Sequence, residues 1–306
     1  MDTPAPTIDC IIQSGADLTE AFISHHIRPH VPIPPGVPWT RTDGYDNFAL
    51  DFGPHIVRIP GSADSLRCLR VESRVCERLR VDGLDTSRPT LVEGLYPFSW
   101  HIKIPGVPFL PERHEAMSEH QRADAGKKLA RLFAALHAIP VDEARTLGVV
   151  DLPPRREYAE LLGAAEPSVP ADLHAWLVGL APEFDDETHT STPIVGCFDA
   201  HPWNLAFDDG TGVLAGAFDF ADVAIGQRVL DFMPVCTISP DLARRAAMSY
   251  EDVTGVHIDT RRAELELVRS ELTDLCTTDT PRTDISVWGL RHRIARLRRW
   301  QAMVGG

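Results

Sequence analysis

Near the middle of the chain, GCFDAHPWNLAFDDGTGVLAGAFDF (196–220) sets two apolar runs, 205–207 and 213–218, on either side of Asp208, Asp209 and Gly210. Those three residues are strong turn formers, so the natural fold of the segment is a β-hairpin. Folding about the midpoint of 204 and 219 places Asn204 beside Asp219 as cross-strand neighbours, with Asp199 on the loop leading in. Taken singly, each would be a turn cap or a strand end; three at one open end call for a chemical reason. A carboxylate next to a carboxamide is a pair of hard oxygen donors that suits Mg2+, which keeps several waters and takes few protein carboxylates alongside phosphates. A further carboxylate on the same loop can orient a hydroxyl, and phosphoryl transfer needs that combination.

The chain has 306 residues, more than one core usually serves, so two lobes are expected. With 43% hydrophobic and 24% charged residues its composition is that of an ordinary globular protein. No apolar run is long enough to cross a bilayer, and MDTPAPTIDC lacks the basic and apolar segments of a leader, so a cytoplasmic protein without membrane partner is expected. The six cysteines lack metal-ligand spacing, which suits reduced thiols. Lys and Arg number 30 against 44 Asp and Glu, a net charge of -14 that repels nucleic acid and attracts cationic small molecules. The sequence implies no obligate protein partner.

Along the chain, PHVPIPPGVP (29–38) reads as an extended connector after a short helix at 17–28, because successive prolines remove backbone donors. WTRTDGYDNFALDF and HIVRIP are β-prone runs joined as a hairpin at Gly53-Pro54, with TDGYDN the loop that opens it. Leu66, Leu69, Val75 and Leu79 among charges predict an amphipathic helix over 64–80, with Glu72 near its middle. A strand pair covers 90–104, and IPGVPFLPE crosses between lobes, dividing the chain into 1–104 and 105–306. The clearest helix runs from Ser118 to Ile139: Ser118 and Gln121 form a capping box, Leu129, Leu132, Phe133 and Leu136 share a face, and Pro140 stops it. Residues 155–190 and most of 228–302 read as helices.

D-A-H-P-W-N followed by F-D-F resembles the catalytic loop and metal motif, D-x-x-x-x-N then I-D-F/W, of the aminoglycoside and macrolide phosphotransferases, small-molecule kinases with a protein-kinase-like fold. The resemblance implies Asp199 as catalytic base and Asn204 and Asp219 as Mg2+ ligands. TDGYDN resembles the nucleotide-covering G-x-x-N loop, here Gly44 and Asn47; V-R-I-P resembles the strand with the phosphate-contacting cation, here Arg58; and R-V-E resembles the helix carrying its acidic partner, here Glu72. HIKIPG resembles the hinge that holds the base of ATP or GTP, which implicates Ile104, and LARLFAALHAIP resembles the first large-lobe helix. The implied fold is α+β and two-lobed, an N-terminal antiparallel sheet with one helix and a mainly helical C-terminal lobe. The implied activity moves a γ-phosphate to a hydroxyl of a cationic small molecule, most readily an aminoglycoside, alternatively a macrolide or basic peptide antibiotic.

Two departures stand out. Cys197-Phe198 replaces the histidine that commonly braces the loop, so something else must hold it. Gln227 and Arg228 replace the acid and proline of the family's G-D-P-x-x-D-L, although Asp231 survives; this leaves open a catalytically silent nucleotide-binding protein of the same fold. Cys197 and His201 are expected to pack rather than react or bind metal. Trp203 and Asp222 are candidate substrate contacts, and the arginines 291, 293, 296, 298 and 299 read as a solvated helix face. A hydrolase would need a nucleophile motif such as G-x-S-x-G, and the sequence has none.

Overall fold

A computed structural model describes residues 18–44, 47–184, 192–276 and 286–304. Thr19 caps a short helical stretch that begins as α1 (Glu20–Phe22) and continues through wider and tighter turns to His30. The β-prone runs form β1 (Thr40–Asp43), β2 (Asn47–Asp51) and β3 (His55–Pro60), and after them comes α2 (Ala63–Cys76), capped by Ser62 and Ser65. This helix stops short of residue 80, although Leu79 is still buried. The short β4 (Asp85–Thr86) precedes β5 (Thr90–Val92) and β6 (Phe98–Ile102), and the sheet order β1-β2-β3-β6-β5 is antiparallel throughout.

Alternation along the strands gives this sheet two different faces. Leu50, Val57, Ile59 and Phe98 pack with Leu18, Ile23, Ile27, Val31 and Ile33 into a core of their own. Arg58 lies between Val57 and Ile59 and so points the other way, opposite Ala49 and Ser99 in register and toward α2. The chain crosses after Ile102, and β7 (Val107–Pro108) already pairs with the central ribbon.

Beyond the crossing come α3 (Pro111–Ala116), α4 (Glu119–His137), α5 (Val141–Leu147), α6 (Tyr158–Ala165) and α7 (Ala171–Phe184). The central segment supplies β8 (Ile194–Gly196), β9 (Leu205–Asp208), β10 (Val213–Ala217) and β11 (Ala224–Gly226). Helices α8 (Met233–Cys236), α9 (Pro240–Thr254), α10 (Thr260–Cys276) and α11 (Ser286–Val304) complete the chain. The described part is therefore the expected α+β pairing of an N-terminal antiparallel sheet with a mostly helical remainder. The capping box at Ser118 and Gln121 forms, and Leu129, Leu132, Phe133 and Leu136 are buried. Arg296 pairs with Glu271 and Arg298 with Asp172, which fits the reading of a helix face; the side chains of Val287, Leu290, Arg291 and Arg293 lie outside the described residues. The described cysteines are free, and no described helix is long and apolar enough to cross a membrane.

Helices α4 and α9 pack tightly at Gly126, where an added Cβ would stand 2.7 Å from Arg245 Cβ and 3.0 Å from its backbone carbon. Gly126→Ala gains helix propensity but forces this contact apart, at a net cost of about 1–2 kcal/mol. A thermal midpoint lower by roughly 2–6 °C, measured by calorimetry, is the expected result. An unchanged or raised midpoint would show that the helices yield freely there.

Candidate active site

The turn of the β9–β10 ribbon is locked by Asp208, whose carboxylate accepts from Gly210 N at 2.8 Å and from Thr211 Oγ1 at 2.6 Å. A bulge between Leu214 and Gly216 shifts the register, pairing Leu205 with Ala217. Asn204 therefore lies opposite Phe218, whose N–H donates to its carbonyl at 3.0 Å, and not directly opposite Asp219 as simple folding about the midpoint predicts. Asp219 follows with φ 62°, in left-handed backbone that a non-glycine residue rarely adopts. Even so, Asp199, Asn204 and Asp219 line one small hollow. Asn204 Nδ2 donates to Asp199 Oδ2 at 2.6 Å and to its carbonyl at 3.0 Å, which leaves Asn204 Oδ1 as the amide's acceptor.

Arg58 joins this hollow to the sheet lobe. Its Nη1 donates to Glu72 Oε2 at 2.7 Å and its Nη2 to Asp219 Oδ1 at 2.8 Å, and Glu72 Oε1 accepts from Phe220 N at 3.0 Å. Arg58 and Glu72 are both buried. Burial opposes the charge on Arg58, but the carboxylates of Glu72 and Asp219 outweigh it and hold its pKa above the ordinary value.

The brace missing from the sequence motif comes from elsewhere. Phe198 has φ 55°, and its N–H donates to Asp231 Oδ1 at 2.5 Å. The other Asp231 oxygen lies 2.7 Å from His137 Nε2, and His137 Nδ1 lies 2.8 Å from Tyr250 Oη. Asp231 is fully buried, and at Gly196 an added Cβ would stand 2.5 Å from its Oδ2 and 2.8 Å from the Phe198 ring. A chain of three side chains, from the tight turn before α8, from α4 and from α9, thus fixes the strained residue just before Asp199. His137 and Tyr250 were not singled out in the sequence; the only trace is the LHAIP end of α4, where an apolar helix face closes on a histidine.

Other expected residues fall as follows. Gly44 N donates to Asn47 O at 2.9 Å and closes the β1–β2 turn; the loop's Tyr45 and Asp46 lie outside the described residues. Asn47 Oδ1 is buried without a partner among the described residues. Ile104 packs on β10 at Gly216 and lines a hollow of about 350 Å³ at the crossing. Trp203 is 63% exposed; His201 Nδ1 accepts from its N–H at 3.1 Å, and His201 Nε2 lies 3.5 Å from Asp199 Oδ1, so the histidine also faces the Asp199 carboxylate. Cys197 is buried and its thiol pushed well up by that burial, so it is inert.

Electrostatics single out Asp199. Burial, with Asp222 and Asp219 nearby, pushes its pKa up to about 7. Asp222 is thus turned toward the catalytic-loop carboxyl. Among the described residues no three His, Cys, Asp or Glu side chains converge as metal ligands. The donor set that fits is one carboxamide oxygen, Asn204, and one carboxylate, Asp219, beside a surplus of negative charge; it suits a hard divalent ion whose other ligands are water and phosphate.

A carboxyl that titrates near 7 folded and near 3.8 unfolded keeps its proton only in the fold across that window. Stability from this group therefore falls as pH rises from about 4 to 7. In nucleotide-free protein with EDTA, Asp199→Asn is expected to melt roughly 2–4 °C above wild type at pH 8, the gap closing toward pH 5. A gap that ignores pH would contradict the assignment.

The phosphotransferase enzyme family model matches residues 41–265. No curated protein sequence matches the chain. Aminoglycoside 2′-phosphotransferase-IIIa in its GDP complex is 18% identical with TM-score 0.73, over 92% of this chain and 96% of that one. The streptomycin–ATP–APH(2″)-IIa ternary complex is 17% identical with TM-score 0.61, over 94% and 98%. Macrolide 2′-phosphotransferase MphH from Brachybacterium faecium, as apoenzyme, is 15% identical with TM-score 0.60, over 93% and 98%. Such identities establish a shared kinase-like fold, and the family match takes in the five-stranded sheet, the β9–β10 ribbon and the first turns of α10. The chain belongs to the phosphotransferase enzyme family.

Proposed function

We propose that the protein transfers the γ-phosphoryl group of ATP or GTP to a hydroxyl of a small molecule, with nucleotide and Mg2+ held between residues 1–104 and 105–306. The observation that carries this reading is the Arg58 guanidinium shared at 2.7 and 2.8 Å between Glu72 and Asp219, beside the Asp199–Asn204 pair. It joins a cation, two oxygen donors for metal and a carboxylate in one place, the parts phosphoryl transfer requires.

In this reading Gly44 and Asn47 cover the nucleotide, Ile104 contacts its base, and Arg58, oriented by Glu72, holds phosphate. Asn204 and Asp219 hold Mg2+, which when bound neutralises phosphate charge. Asn204 occupies Asp199 Oδ2, so Oδ1 accepts the acceptor's proton as its oxygen bonds to phosphorus and the bond to the departing nucleoside diphosphate breaks. Trp203, exposed beside the loop, offers a stacking surface, and Asp222 contacts the acceptor side of Asp199. The structures similar to this chain include complexes with kanamycin, streptomycin and gentamicin and macrolide 2′-phosphotransferases, so aminoglycosides and macrolides are the first acceptors to assay.

Phosphate transfer from ATP and from GTP, measured over a panel of cationic, neutral and anionic hydroxy compounds, tests the proposal. Asp199→Ala is expected to lower kcat by about 10²–10⁴-fold while nucleotide affinity changes little. Asp219→Asn is expected to raise the Mg2+ concentration needed for half-maximal rate. Nucleotide binding without transfer to any compound, unaltered by Asp199→Ala, would favour the catalytically silent alternative.

A further inference from the structure

A cavity of about 700 Å³ opens beside the catalytic loop, bounded by Phe198 and Gly226 at one end and by α10 at the other. That size suits a molecule of drug or disaccharide scale. Its far wall holds Glu266, buried, with three guanidiniums around it. Arg155 Nη1 lies 2.6 Å from Glu266 Oε2, Arg262 Nη2 lies 2.8 Å from Oε1, and Arg269 Nε lies 3.5 Å from Oε2. The remaining charges on the wall are matched: Arg156 with Glu160 at 2.6 Å and Asp151 with Arg145 at 2.9 Å.

Three cations therefore share one carboxylate. The side chains of Arg262 and Arg269 are only 13% and 12% exposed, and both lie over the Phe184 ring, at 5.4 and 5.0 Å; among the described residues neither pairs with a second acid, and Arg262 Nη1 donates to the Glu183 carbonyl at 3.2 Å. Arg269 Nε is buried without a hydrogen-bond partner among the described residues. Arg155 is held below its ordinary pKa, first by burial and then, against the pull of Glu266, by Arg269 and Arg262. Arg155 Nη2 also donates to the Glu266 carbonyl at 3.4 Å, a neutral acceptor. Guanidiniums crowded in this way, partly dry and with one carboxylate among three, are relieved by an oxyanion that accepts two hydrogen bonds from a planar fork.

We infer that this cavity is the acceptor pocket and takes a hydroxy compound bearing an oxyanion, a carboxylate or a phosphoryl group, seated on Arg155, Arg262 and Arg269. The inference rests on the phosphotransferase reading and gives its acceptor a chemical class. The overall charge of -14 pointed to a cationic acceptor. A ligand in the cavity meets the local field, which has the opposite sign, and a polycation there would face three guanidiniums.

Two small anions test the site without turnover: inorganic phosphate and acetate, each titrated calorimetrically into the full chain with its nucleotide site filled by a non-hydrolysable triphosphate analogue and Mg2+. At least one should bind saturably at one per chain, and whichever binds tighter identifies the phosphoryl or carboxylate source. Arg269→Gln should weaken that binding at least about tenfold and raise KM by a similar factor for anionic acceptors in the transfer panel. Arg155→Gln, at the more exposed rim, serves as the second variant should Arg269→Gln fail to fold. Absence of saturable anion binding, an affinity indifferent to both substitutions, or transfer to kanamycin that Arg269→Gln leaves intact would overturn the inference. Loss of nucleotide binding, with anion binding still sensitive to Arg269, would instead sink the kinase reading and leave the anion site standing.

Discussion

The Arg58 guanidinium is the contact on which the two halves of the molecule depend. A lone buried charge would be untenable, and each neighbouring group answers part of that cost: Glu72 on α2 takes one edge and Asp219 from the catalytic segment takes the other. Glu72 in turn accepts the N–H of Phe220, so one carboxylate is satisfied by the sheet lobe and by the backbone after the ribbon together. Removing Arg58 strands Glu72 in a dry place, and removing Glu72 does the same to Arg58; Asp219, at the partly open end, keeps access to water. The orientation of α2, the direction of β3 and the left-handed turn at Asp219 are thereby set together.

The loop that carries Asp199 is constrained by a second, independent device. Phe198 and Asp219 both occupy backbone regions unfavourable for residues with a Cβ, at φ 55° and 62°, and both are pinned by hydrogen bonds. Strain of this kind persists only where the surroundings over-determine it. Asp231 does so for Phe198, and the missing Cβ at Gly196 gives its carboxylate the room to reach the loop. The buried row Tyr250, His137, Asp231 draws on α9, α4 and the turn before α8, so the loop geometry is built into the packing of the helical lobe.

Which parts of this were legible in the sequence follows from how local each signal is. The ribbon, the Ser118 capping box and the apolar face of α4 are written in adjacent residues, and they form as read. The register of the ribbon was read one residue wrong, because a bulge at Ala215 depends on how β10 also pairs with β4, far away in sequence. Arg58 and Glu72 could be paired because a motif resemblance supplied the partner that spacing alone could not. No such aid existed for His137 and Tyr250, which are 113 residues apart, or for Arg155 and Glu266, which are 111 apart. Net charge carries no such local information either: it sums over the surface what the fold sorts into separate places.

That sorting gives the cleft a polarity. At the ribbon, burial together with the neighbouring carboxylates of Asp222 and Asp219 pushes the Asp199 carboxyl up to about 7, while arginines gather in the cavity against α10. Each cluster is unfavourable by itself, and in the proposed function each would be relieved by a ligand of opposite sign: a divalent cation with phosphates at the ribbon, an oxyanion at α10. A molecule that satisfies the second has its orientation restricted, because its charged end is drawn away from the carboxylates and its uncharged hydroxyl is left to face Asp199. Charge separation along the cleft would then act on register as much as on affinity, choosing which hydroxyl comes within reach of the base.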